Sequence, residues 1–276
     1  MEEYLGFKEL VLSDEEISDI YQKNDAIGTF GCVQNEYLVV KNQDGEIVNS
    51  FRCVGDFFEE VPYRKINSRF CGSITPRNIQ QKLSIDMLYN PEITINVLGG
   101  KYGGGKTYIM AASAIDLIER GKFDKLIYVR NNIEVKDSKP IGHLPGTANE
   151  KIMPFAMPLA DHIGGVEALE MMIGQGKIEL IPFCYIRGRD LKNSIIICSE
   201  VENMTKEHIQ LLISRVGTGS VLWLDGDTKQ VDRDVFRKNS GIKIAIDCLK
   251  GHPRFGYVKL MKTERSETAA MADLLD

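Results

Sequence analysis

The segment from Ile93 to Arg120 decides the fold of this chain. It begins with the apolar run Ile93-Thr94-Ile95-Asn96-Val97-Leu98, continues as Gly100-Lys101-Tyr102-Gly103-Gly104-Gly105-Lys106-Thr107, and ends in a helical stretch, Tyr108–Arg120. The central octet fits the pattern G-x-x-x-x-G-K-[ST], which binds phosphate when it lies between a buried strand and a helix. Because both flanking elements are predicted here, the sequence indicates a nucleotide-binding loop rather than a glycine-rich turn with a chance Lys-Thr pair.

Each residue type in this loop suits a nucleoside triphosphate. The glycines let backbone N–H groups turn inward around phosphate oxygens, and the positive end of the following helix adds to the same field. Lys106 supplies a positive charge for the β- and γ-phosphates, and Thr107 offers a hydroxyl ligand for Mg²⁺. The candidate nucleotide-binding residues of the loop are Gly100, Gly103, Gly104, Gly105, Lys106, Thr107 and Tyr108.

The composition is that of an ordinary globular protein. The 276 residues are 43% hydrophobic and 26% charged, and the net charge is −5, so any attraction to nucleic acid must come from a local basic patch. No apolar run approaches the ~20 residues that span a bilayer, and the acidic N-terminus lacks a signal-peptide apolar region. We expect a cytoplasmic protein whose six scattered cysteines are free thiols.

Residues 1–73 are predicted to form a small α+β module. Ser13-Asp14-Glu15-Glu16 is a capping-box start for a helix that reaches about Gln22. The runs Glu36–Val40 and Glu46–Val48 flank an Asp44-Gly45 turn, which predicts a β-hairpin. This module shows no recognisable catalytic chemistry, so packing or subunit contact is its expected role.

Residues 74–276 are predicted to form an α/β domain with a doubly wound parallel sheet. Continuous apolar runs are typical of buried parallel strands, and five are present: Ile93–Leu98, Lys125–Val129, Ser194–Cys198, Val221–Leu224 and Gly256–Leu260. One predicted helix, Pro76–Leu88, precedes the first strand, and two, Tyr108–Arg120 and Thr205–Arg215, lie between strands. In such a sheet the ligand lies at the carboxyl ends of the strands. The stretch 131–148, rich in Gly, Pro, Lys and Asn, is predicted to be a functional loop.

The end of the strand Ser194–Cys198 carries a candidate catalytic carboxylate. A phosphate-loop ATPase needs one acidic residue near Mg²⁺ and a residue that orients the attacking water. Glu200 fits the second role. Ser199 stands at the first position and offers a hydroxyl to a Mg²⁺-bound water, but no charge. We therefore expect weaker Mg²⁺ binding or slower turnover than in a standard site, and we expect Ser199→Asp to raise both.

Two further segments carry candidate ligands. Gly226-Asp227-Thr228-Lys229-Gln230 follows a buried strand and suits a γ-phosphate sensor, in which Asp227 orients the loop and Gln230 contacts phosphate or water. Upstream, the amide of Gln81 offers the donor and acceptor that adenine N6 and N7 require. Taken alone both are weak signals, because Gly-Asp turns are common and an isolated glutamine is more often a surface residue.

Together these segments resemble the PhoH-like ATPases, from about Ile74 to Leu275. The resemblance rests on eight blocks in family order: Pro76–Gln81, Gly100–Thr107, Gly142–Gly146, Tyr185–Arg189, Glu200–Thr205, Gly226–Gln230, Gly251–Gly256 and Glu264–Ser266. It implies a P-loop NTPase fold like that of RecA and the superfamily-one helicases, ATP and Mg²⁺ as cofactors, and a homo-hexamer. Longer relatives carry an N-terminal PIN ribonuclease domain that we do not find here, so this short form is not expected to cut RNA.

Two positions depart from the family pattern, and three arginines agree with it. The family's Asp-Glu pair is Ser199-Glu200 here, and its following Gln-Asn is Glu202-Asn203. Arg130 matches the arginine after the family's second core strand. Arg187 and Arg189 match the family's R-G-R.

Arginines and lysines outside the loop suggest assembly and a polynucleotide partner. Phosphoryl transfer commonly uses an arginine aimed at the γ-phosphate, and with a single core we expect a neighbouring subunit to supply it, Arg265 being favoured over Arg215. A candidate surface for RNA or single-stranded DNA consists of Arg187, Arg189, Lys192, Lys136 and Lys139, with Tyr185 for base stacking. A solvated face or a subunit interface explains these cations equally well.

Two functions of different classes therefore remain open. The first is a Mg²⁺-dependent ATPase coupled to movement along RNA or to its remodelling, with Lys106, Glu200, Gln230 and Arg265 as catalytic residues. The second is an ATP-binding oligomeric regulator or nucleic-acid clamp with little hydrolysis, which Ser199 favours. A helicase that unwinds duplexes is a further variant of the first, and it predicts hydrolysis that rises with single-stranded nucleic acid.

Overall fold

The computed structural model describes residues 3–23, 30–101, 103–130, 148–227 and 239–264. Within these ranges the chain forms a four-stranded sheet, a two-stranded hairpin and a six-stranded sheet. Several predicted features lie outside the described residues: the block Gly142–Gly146, most of the loop 131–148, Lys136, Lys139, Gln230 and Arg265.

The N-terminal module is built on the four-stranded sheet. Its strands, in spatial order, are β1 (Phe7–Val11), β2 (Tyr37–Lys41), β3 (Ile47–Val54) and β4 (Phe57–Glu60), with β1 parallel to β2 and the other pairs antiparallel. The predicted hairpin is confirmed as β2–β3, and Gly45 adopts a left-handed φ of 82° between the two strands. Helix α1 (Asp14–Lys23) begins after Ser13 with the predicted capping box: the Ser13 N–H donates to the Glu16 carboxylate at 2.8 Å, and the Ser13 hydroxyl accepts from the N–H of Glu16 at 3.3 Å.

A short antiparallel hairpin leads from this module into the α/β domain. It consists of β5 (Ile66–Ser68) and β6 (Gly72–Ile74). The side chains of Ile66 and Ile74 are buried in the same core cluster as the helix that follows the phosphate loop. The predicted domain boundary at 73/74 falls at the end of this hairpin and stays a prediction.

The α/β domain is organised around six strands that are all parallel to their neighbours. In chain order they are β7 (Ile95–Gly99), β8 (Lys125–Arg130), β9 (Ile178–Pro182), β10 (Ser194–Ser199), β11 (Val221–Gly226) and β12 (Phe255–Lys259). Their spatial order is β12-β7-β11-β10-β8-β9. The five predicted strands are confirmed with shifts of one or two residues at their ends, and β9 is an edge strand that the sequence analysis did not identify.

Helices cover both faces of this sheet. They are α2 (Ile79–Tyr89), α3 (Lys106–Glu119), α4 (Ala148–His162), α5 (Val166–Gly174), α6 (Lys206–Ile213) and α7 (Gly241–Leu249). Alternate residues of β10 enter opposite cores: Ile195 and Ile197 pack with the α3 side, and Ile196 packs with the α6 and α7 side. The predicted doubly wound parallel sheet is therefore confirmed. None of the described helices combines the length and apolar character that a bilayer crossing requires.

The N-terminal module packs against β12, the edge strand next to β7. The backbone N–H of Lys259 donates to the carbonyl of Leu5 at 3.0 Å, and the rings of Tyr4 and Tyr257 stack with centroids 5.9 Å apart. The amide of Asn35, which is 4% exposed, donates to the carbonyls of Pro253 (2.9 Å) and Phe255 (3.0 Å). A single buried side chain thus ties the module to the carbonyls at the start of β12.

Replacing the Asn35 amide by a carboxylate is expected to destabilise this junction. Asn35 has a left-handed φ of 62°, which Asp tolerates as well as Asn does. Asn35→Asp removes the donor and turns a charge toward carbonyl oxygens, at a cost of about 2–3 kcal/mol or more. Urea unfolding of the full chain measures this as a lower midpoint. The matched control is Asn67→Asp on the exposed β5–β6 hairpin, where Asn67 Oδ1 accepts from Ser73; equal shifts in both variants would contradict the expectation.

Candidate nucleotide-binding site

A cleft of about 660 Å³ opens at the carboxyl ends of β7, β10 and β11. This is the edge of the sheet where the sequence places the ligand. The lining combines the phosphate loop with acidic residues from the neighbouring strand ends and with residues of α2 and the segment after β12. The lining includes Gln81, Gly103, Gly105, Lys106, Thr107, Tyr108, His162, Glu200, Glu202, Asp225, Asp227 and Glu264.

The phosphate loop needs its glycines for conformation and for space. Gly100, Gly103 and Gly105 have left-handed φ values of 114°, 83° and 87°, which residues with a side chain rarely adopt. At Gly100 a Cβ atom would lie 2.0 Å from the carbonyl oxygen of Leu260. The loop is held from behind by the segment after β12, because the N–H of Leu260 donates to Gly99 and that of Glu264 donates to Gly103, both at 2.9 Å.

The loop presents positive charge and the first turn of a helix to the cleft. The ammonium of Lys106 donates to the carbonyls of Gly100 (2.5 Å) and Lys101 (2.9 Å), so it lies folded against the loop. Helix α3 begins after Gly105, and no side chain caps its first turn. The first N–H groups of a helix without such a cap are available to an anion, which the helix dipole also favours. The arrangement suits phosphate oxygens.

Gln81 supports the loop from α2. Its Nε2 donates to the carbonyl of Gly104 at 3.2 Å, and its Oε1 accepts from the N–H of Arg77 at 2.9 Å. Both ends of the amide are thus engaged within the chain, whereas the sequence predicted that they face adenine. Adenine recognition by Gln81 stays a prediction. Asn78, which caps α2, also donates to the Glu264 carboxylate at 2.7 Å.

Tyr108 lies in the first turn of α3 and forms part of the cleft wall. Its ring meets that of His162, the last residue of α4, edge to face with centroids 5.4 Å apart. Burial lowers the pKa of His162, so the neutral imidazole is favoured beside this ring. The pair presents an aromatic surface next to the phosphate loop, and the predicted contact of Tyr108 with the nucleotide remains a prediction.

The hydroxyl of Thr107 is paired with a carboxylate that the sequence analysis did not single out. Thr107 Oγ1 donates to Asp225 Oδ2 at 2.6 Å, and the other carboxylate oxygen of Asp225 accepts from the N–H of Glu200 at 3.2 Å. Asp225 is the fifth residue of β11 and is 4% exposed. One signal was present in the sequence. Asp225 directly follows an apolar strand run, just as Ser199 does, and an acidic residue was expected at the end of such a run.

Ser199 is bonded through its hydroxyl to β8, which lies on the other side of β10 from β11 and Asp225. Its hydroxyl is 2.9 Å from the hydroxyl of Tyr128 and accepts from Arg130 at 3.3 Å, and both partners belong to β8. Burial raises the pKa of Tyr128 to about 12, so its hydroxyl stays protonated. Ser199 is therefore held toward β8, and the hydroxyl of Thr107 bonds Asp225 instead.

Glu200 sits at a strained bend that aims its side chain into the cleft. It has a left-handed φ of 57°, unusual for a residue with a long side chain. Its carboxylate forms an ion pair with Arg130, with 2.5 Å between Oε1 and Nη2, and nearly half of the side chain is exposed. A half-exposed carboxylate in the cleft lining, held at one oxygen by an arginine, is suited to orienting a water molecule.

Glu202 is a further buried member of the acidic group. Its Oε2 accepts from the N–H of Asp227 at 3.4 Å. Burial, assisted by the charges of Asp225 and Glu200, raises the pKa of Glu202 to about 8. Below that pH the side chain is a neutral carboxylic acid, which like an amide both donates and accepts. This gives a physical interpretation of the departure from the glutamine of the family pattern.

The donor set beside the loop fits Mg²⁺ bound together with phosphates. Mg²⁺ prefers oxygen ligands and is usually held by one or two carboxylates plus substrate phosphates rather than by a closed protein cage. Thr107 and Asp225 provide a hydroxyl and a carboxylate in contact. Among the described residues no cluster of three or more His, Cys, Asp or Glu side chains forms a ready-made metal site.

The proposed polynucleotide surface is partly neutralised by acidic neighbours. Arg189 pairs with Glu179 of β9 at 2.7 Å, and Lys192 pairs with Asp190 at 3.0 Å. Arg187 is exposed, and the neighbouring Tyr185 is 68% exposed. Of the five candidate cations, three lie in the described part of the chain, and one of these three, Arg187, has no ion-pair partner there.

The raised pKa of Glu202 predicts a pH-dependent stability. The folded state holds this proton up to about pH 8, whereas the unfolded chain loses it near the ordinary pKa of a glutamate. The free energy of unfolding therefore falls as the pH rises between these two pKa values. Glu202→Gln removes the free-energy cost of ionising a buried carboxyl group. It is expected to match the wild type at pH 5 and to exceed it by a few kcal/mol at pH 9.

Chemical denaturation at the two pH values measures the effect of Glu202→Gln on the free energy of unfolding. Glu170→Gln, on the exposed face of α5, is the matched control and should show no such dependence. A difference between Glu202→Gln and wild type that stays constant from pH 5 to pH 9 would contradict a proton held by Glu202.

Comparison with known proteins gives one family. The family model described as "PhoH-like protein" matches residues 73–273. The chain is 31% identical to Protein PhoH2 of Bacillus subtilis (strain 168) over 290 residues, covering 99% of this chain and 65% of that protein. It is 32% identical to a PhoH-like protein of Mycobacterium tuberculosis (strain ATCC 25618 / H37Rv) over 220 residues, covering 79% of this chain and 61% of that protein. The chain thus spans less than two thirds of the length of these relatives.

A likeness among solved structures is the large terminase of a thermophilic bacteriophage. It has 11% identity and a TM-score of 0.43, and it covers 72% of this chain and 50% of that one. The family model, by contrast, spans most of the chain and includes every described residue of the cleft. The chain belongs to the PhoH-like protein family.

Proposed function

We propose that this protein binds ATP with Mg²⁺ in the cleft, hydrolyses it, and couples hydrolysis to remodelling of RNA or another single-stranded nucleic acid. The observation that carries the proposal is the convergence of the phosphate loop with the strand-end carboxylates. The Thr107 hydroxyl donates to the Asp225 carboxylate at 2.6 Å, and the backbone N–H of Glu200 donates to the same carboxylate. Family membership and the parallel sheet support the same assignment. A cytoplasmic location is part of the proposal.

Binding of the triphosphate is assigned to the loop. The N–H groups at the start of α3 and of the residues Gly103–Gly105 surround the phosphates, and Lys106 exchanges its two backbone carbonyl partners for phosphate oxygens. The exchange is favourable because an ammonium bonds more strongly to an anion than to neutral carbonyls. Mg²⁺, when bound with the nucleotide, neutralises phosphate charge; Thr107 and Asp225 are the residues that would hold it.

Glu200 is assigned the water-orienting role. Its carboxylate faces the cleft from the end of β10, and Arg130 holds one of its oxygens. The remaining oxygen accepts a hydrogen bond from the attacking water and receives its proton. Asp227 and Gln230 are proposed as the γ-phosphate sensor, and Arg265 of a neighbouring subunit as the arginine that stabilises charge on the transferred phosphoryl group. This last assignment requires a ring, for which we propose a homo-hexamer.

Contact with a polynucleotide is assigned to the surface around Arg187 and Tyr185. A cation and an exposed aromatic ring two residues apart are the combination that binds the backbone and bases of a single strand. Arg189 and Lys192 join this surface only by exchanging Glu179 and Asp190 for phosphates. The contribution of these two residues should therefore be smaller than that of Arg187.

A second candidate function is an ATP-binding oligomeric regulator or clamp with little hydrolysis. The observation that favours it is the state of Ser199, which has no charge and whose hydroxyl is bonded to Tyr128 and Arg130. In that case ATP stabilises the assembly without turnover.

Lys106→Ala separates these candidates. We expect Mg²⁺-dependent ATP hydrolysis by the full chain, lowered about 100-fold or more by Lys106→Ala because one charged donor to the developing negative charge is removed. Lys122→Ala, at an exposed position just after α3, is the matched control and should retain the wild-type rate. Steady-state phosphate release with and without single-stranded RNA or DNA is the measurement.

The outcomes of the hydrolysis assay differ in meaning. ATP binding without turnover in the wild type would favour the regulator or clamp. Turnover that neither RNA nor DNA stimulates would count against coupling to a polynucleotide and against duplex unwinding. A rate equal in wild type and Lys106→Ala would remove the ATPase assignment.

A further inference from the structure

We infer that Asp225, at the end of β11, supplies the carboxylate near Mg²⁺ that the family pattern places at the end of β10, where this chain has Ser199. The inference rests on the proposed function, because it concerns the metal that accompanies ATP in the same cleft. It changes the interpretation of Ser199: the negative charge of the site has moved to the neighbouring strand and has not been lost.

The strand register places Asp225 level with Ser199. β10 and β11 are parallel neighbours, registered up to the pair Cys198 and Leu224. Ser199 and Asp225 are the next residue on each strand, so they stand side by side at the carboxyl edge of the sheet. Neighbouring strands lie about 4.8 Å apart, so a carboxylate at either position serves the same region of the cleft.

β11 is also the strand closer to the phosphate loop. It lies between β10 and β7, and Asp225 is registered with Leu98 of β7, two residues before the loop begins at Gly100. A charge moved from β10 to β11 is therefore one strand nearer to the phosphates. This position explains why the Thr107 hydroxyl reaches Asp225.

The contacts of Asp225 are those of a carboxylate prepared for a cation. It is 4% exposed, and its oxygens accept from Thr107 and from the N–H of Glu200. No Lys or Arg of the described residues forms an ion pair with it. A buried carboxylate without a counter-ion is costly, and a divalent cation coordinated by Thr107 and the phosphates would remove that cost.

Ser199 is not positioned to support Mg²⁺ in the way that Asp225 is. Its hydroxyl is held by Tyr128 and Arg130 of β8, on the far side from Thr107. An aspartate at position 199 would add a further carboxylate to the group formed by Glu200, Glu202 and Asp225. The gain expected from Ser199→Asp alone, in Mg²⁺ binding and in turnover, is therefore small while Asp225 is present.

The test is the effect of Mg²⁺ on the affinity for a non-hydrolysable ATP analogue, measured by calorimetry on the full chain with Mg²⁺ and with EDTA. In the wild type, Mg²⁺ should increase the affinity. Asp225→Asn should reduce that increase about 10-fold or more, the loss typical when a group that supports a metal is removed, with no loss of affinity in EDTA. Asp247→Asn, on an exposed position of α7, is the matched control.

A second readout observes the metal itself. Mn²⁺ bound in the presence of the analogue is counted by electron paramagnetic resonance, which does not depend on turnover. Asp225→Asn should lose bound Mn²⁺, Asp225→Glu should retain part of it, and Ser199→Ala should lose less than Asp225→Asn does. If Asp225→Asn does not fold, the order of Asp225→Glu and Ser199→Ala decides: a larger loss in Ser199→Ala would overturn the inference.

Failure of this inference and failure of the proposed function give different results. A wild type that binds no ATP analogue, with or without metal, overturns both. A wild type whose affinity rises with Mg²⁺, with the same rise in Asp225→Asn, leaves ATP binding in place and overturns the role of Asp225 alone.

Discussion

The hydrogen-bonded ladder between β7 and β11 is the constraint on which the site depends. It registers Asp225 with Leu98 and Gly226 with Gly99, so the end of one strand enters the phosphate loop while the end of the other presents a carboxylate. The Thr107–Asp225 hydrogen bond follows from that register. Gly226 is part of the same constraint, because a Cβ atom there would lie 2.6 Å from the Glu202 carboxylate.

The three acidic residues beside the phosphate loop are each stabilised in a different way. Glu200 is paired with Arg130 and partly exposed, Glu202 keeps its proton because it is buried, and Asp225 accepts hydrogen bonds from Thr107 and a backbone N–H. Two like charges in a low-dielectric interior repel strongly, so a neutral Glu202 reduces the repulsion on Asp225. The site is thus arranged to receive positive charge.

Most strands of the α/β domain were predictable because a continuous apolar run bounded by turn residues is typical of a buried strand. The strands that became β7, β8, β10, β11 and β12 are continuous apolar segments, typical of a parallel sheet buried on both faces. β9 was missed because Glu179 interrupts its apolar run; on an edge strand that carboxylate remains accessible and pairs with Lys125 and Arg189. The strands β4, β5 and β6 were missed because each is short, with four residues or fewer. β1 was missed because it pairs with β2, a pairing in which Phe7 faces the distant Tyr37.

The sequence by itself determined the phosphate loop and the family, because the conformations of Gly100, Gly103 and Gly105 and the chemistry of Lys106 and Thr107 are local properties of a short segment. Only the tertiary structure decided which carboxylate faces Thr107. Ser199 and Asp225 both end apolar runs, and one-dimensional spacing does not distinguish them. The order β7-β11-β10 does, since it places β11 next to the loop and leaves Ser199 to bond Tyr128 and Arg130 on β8.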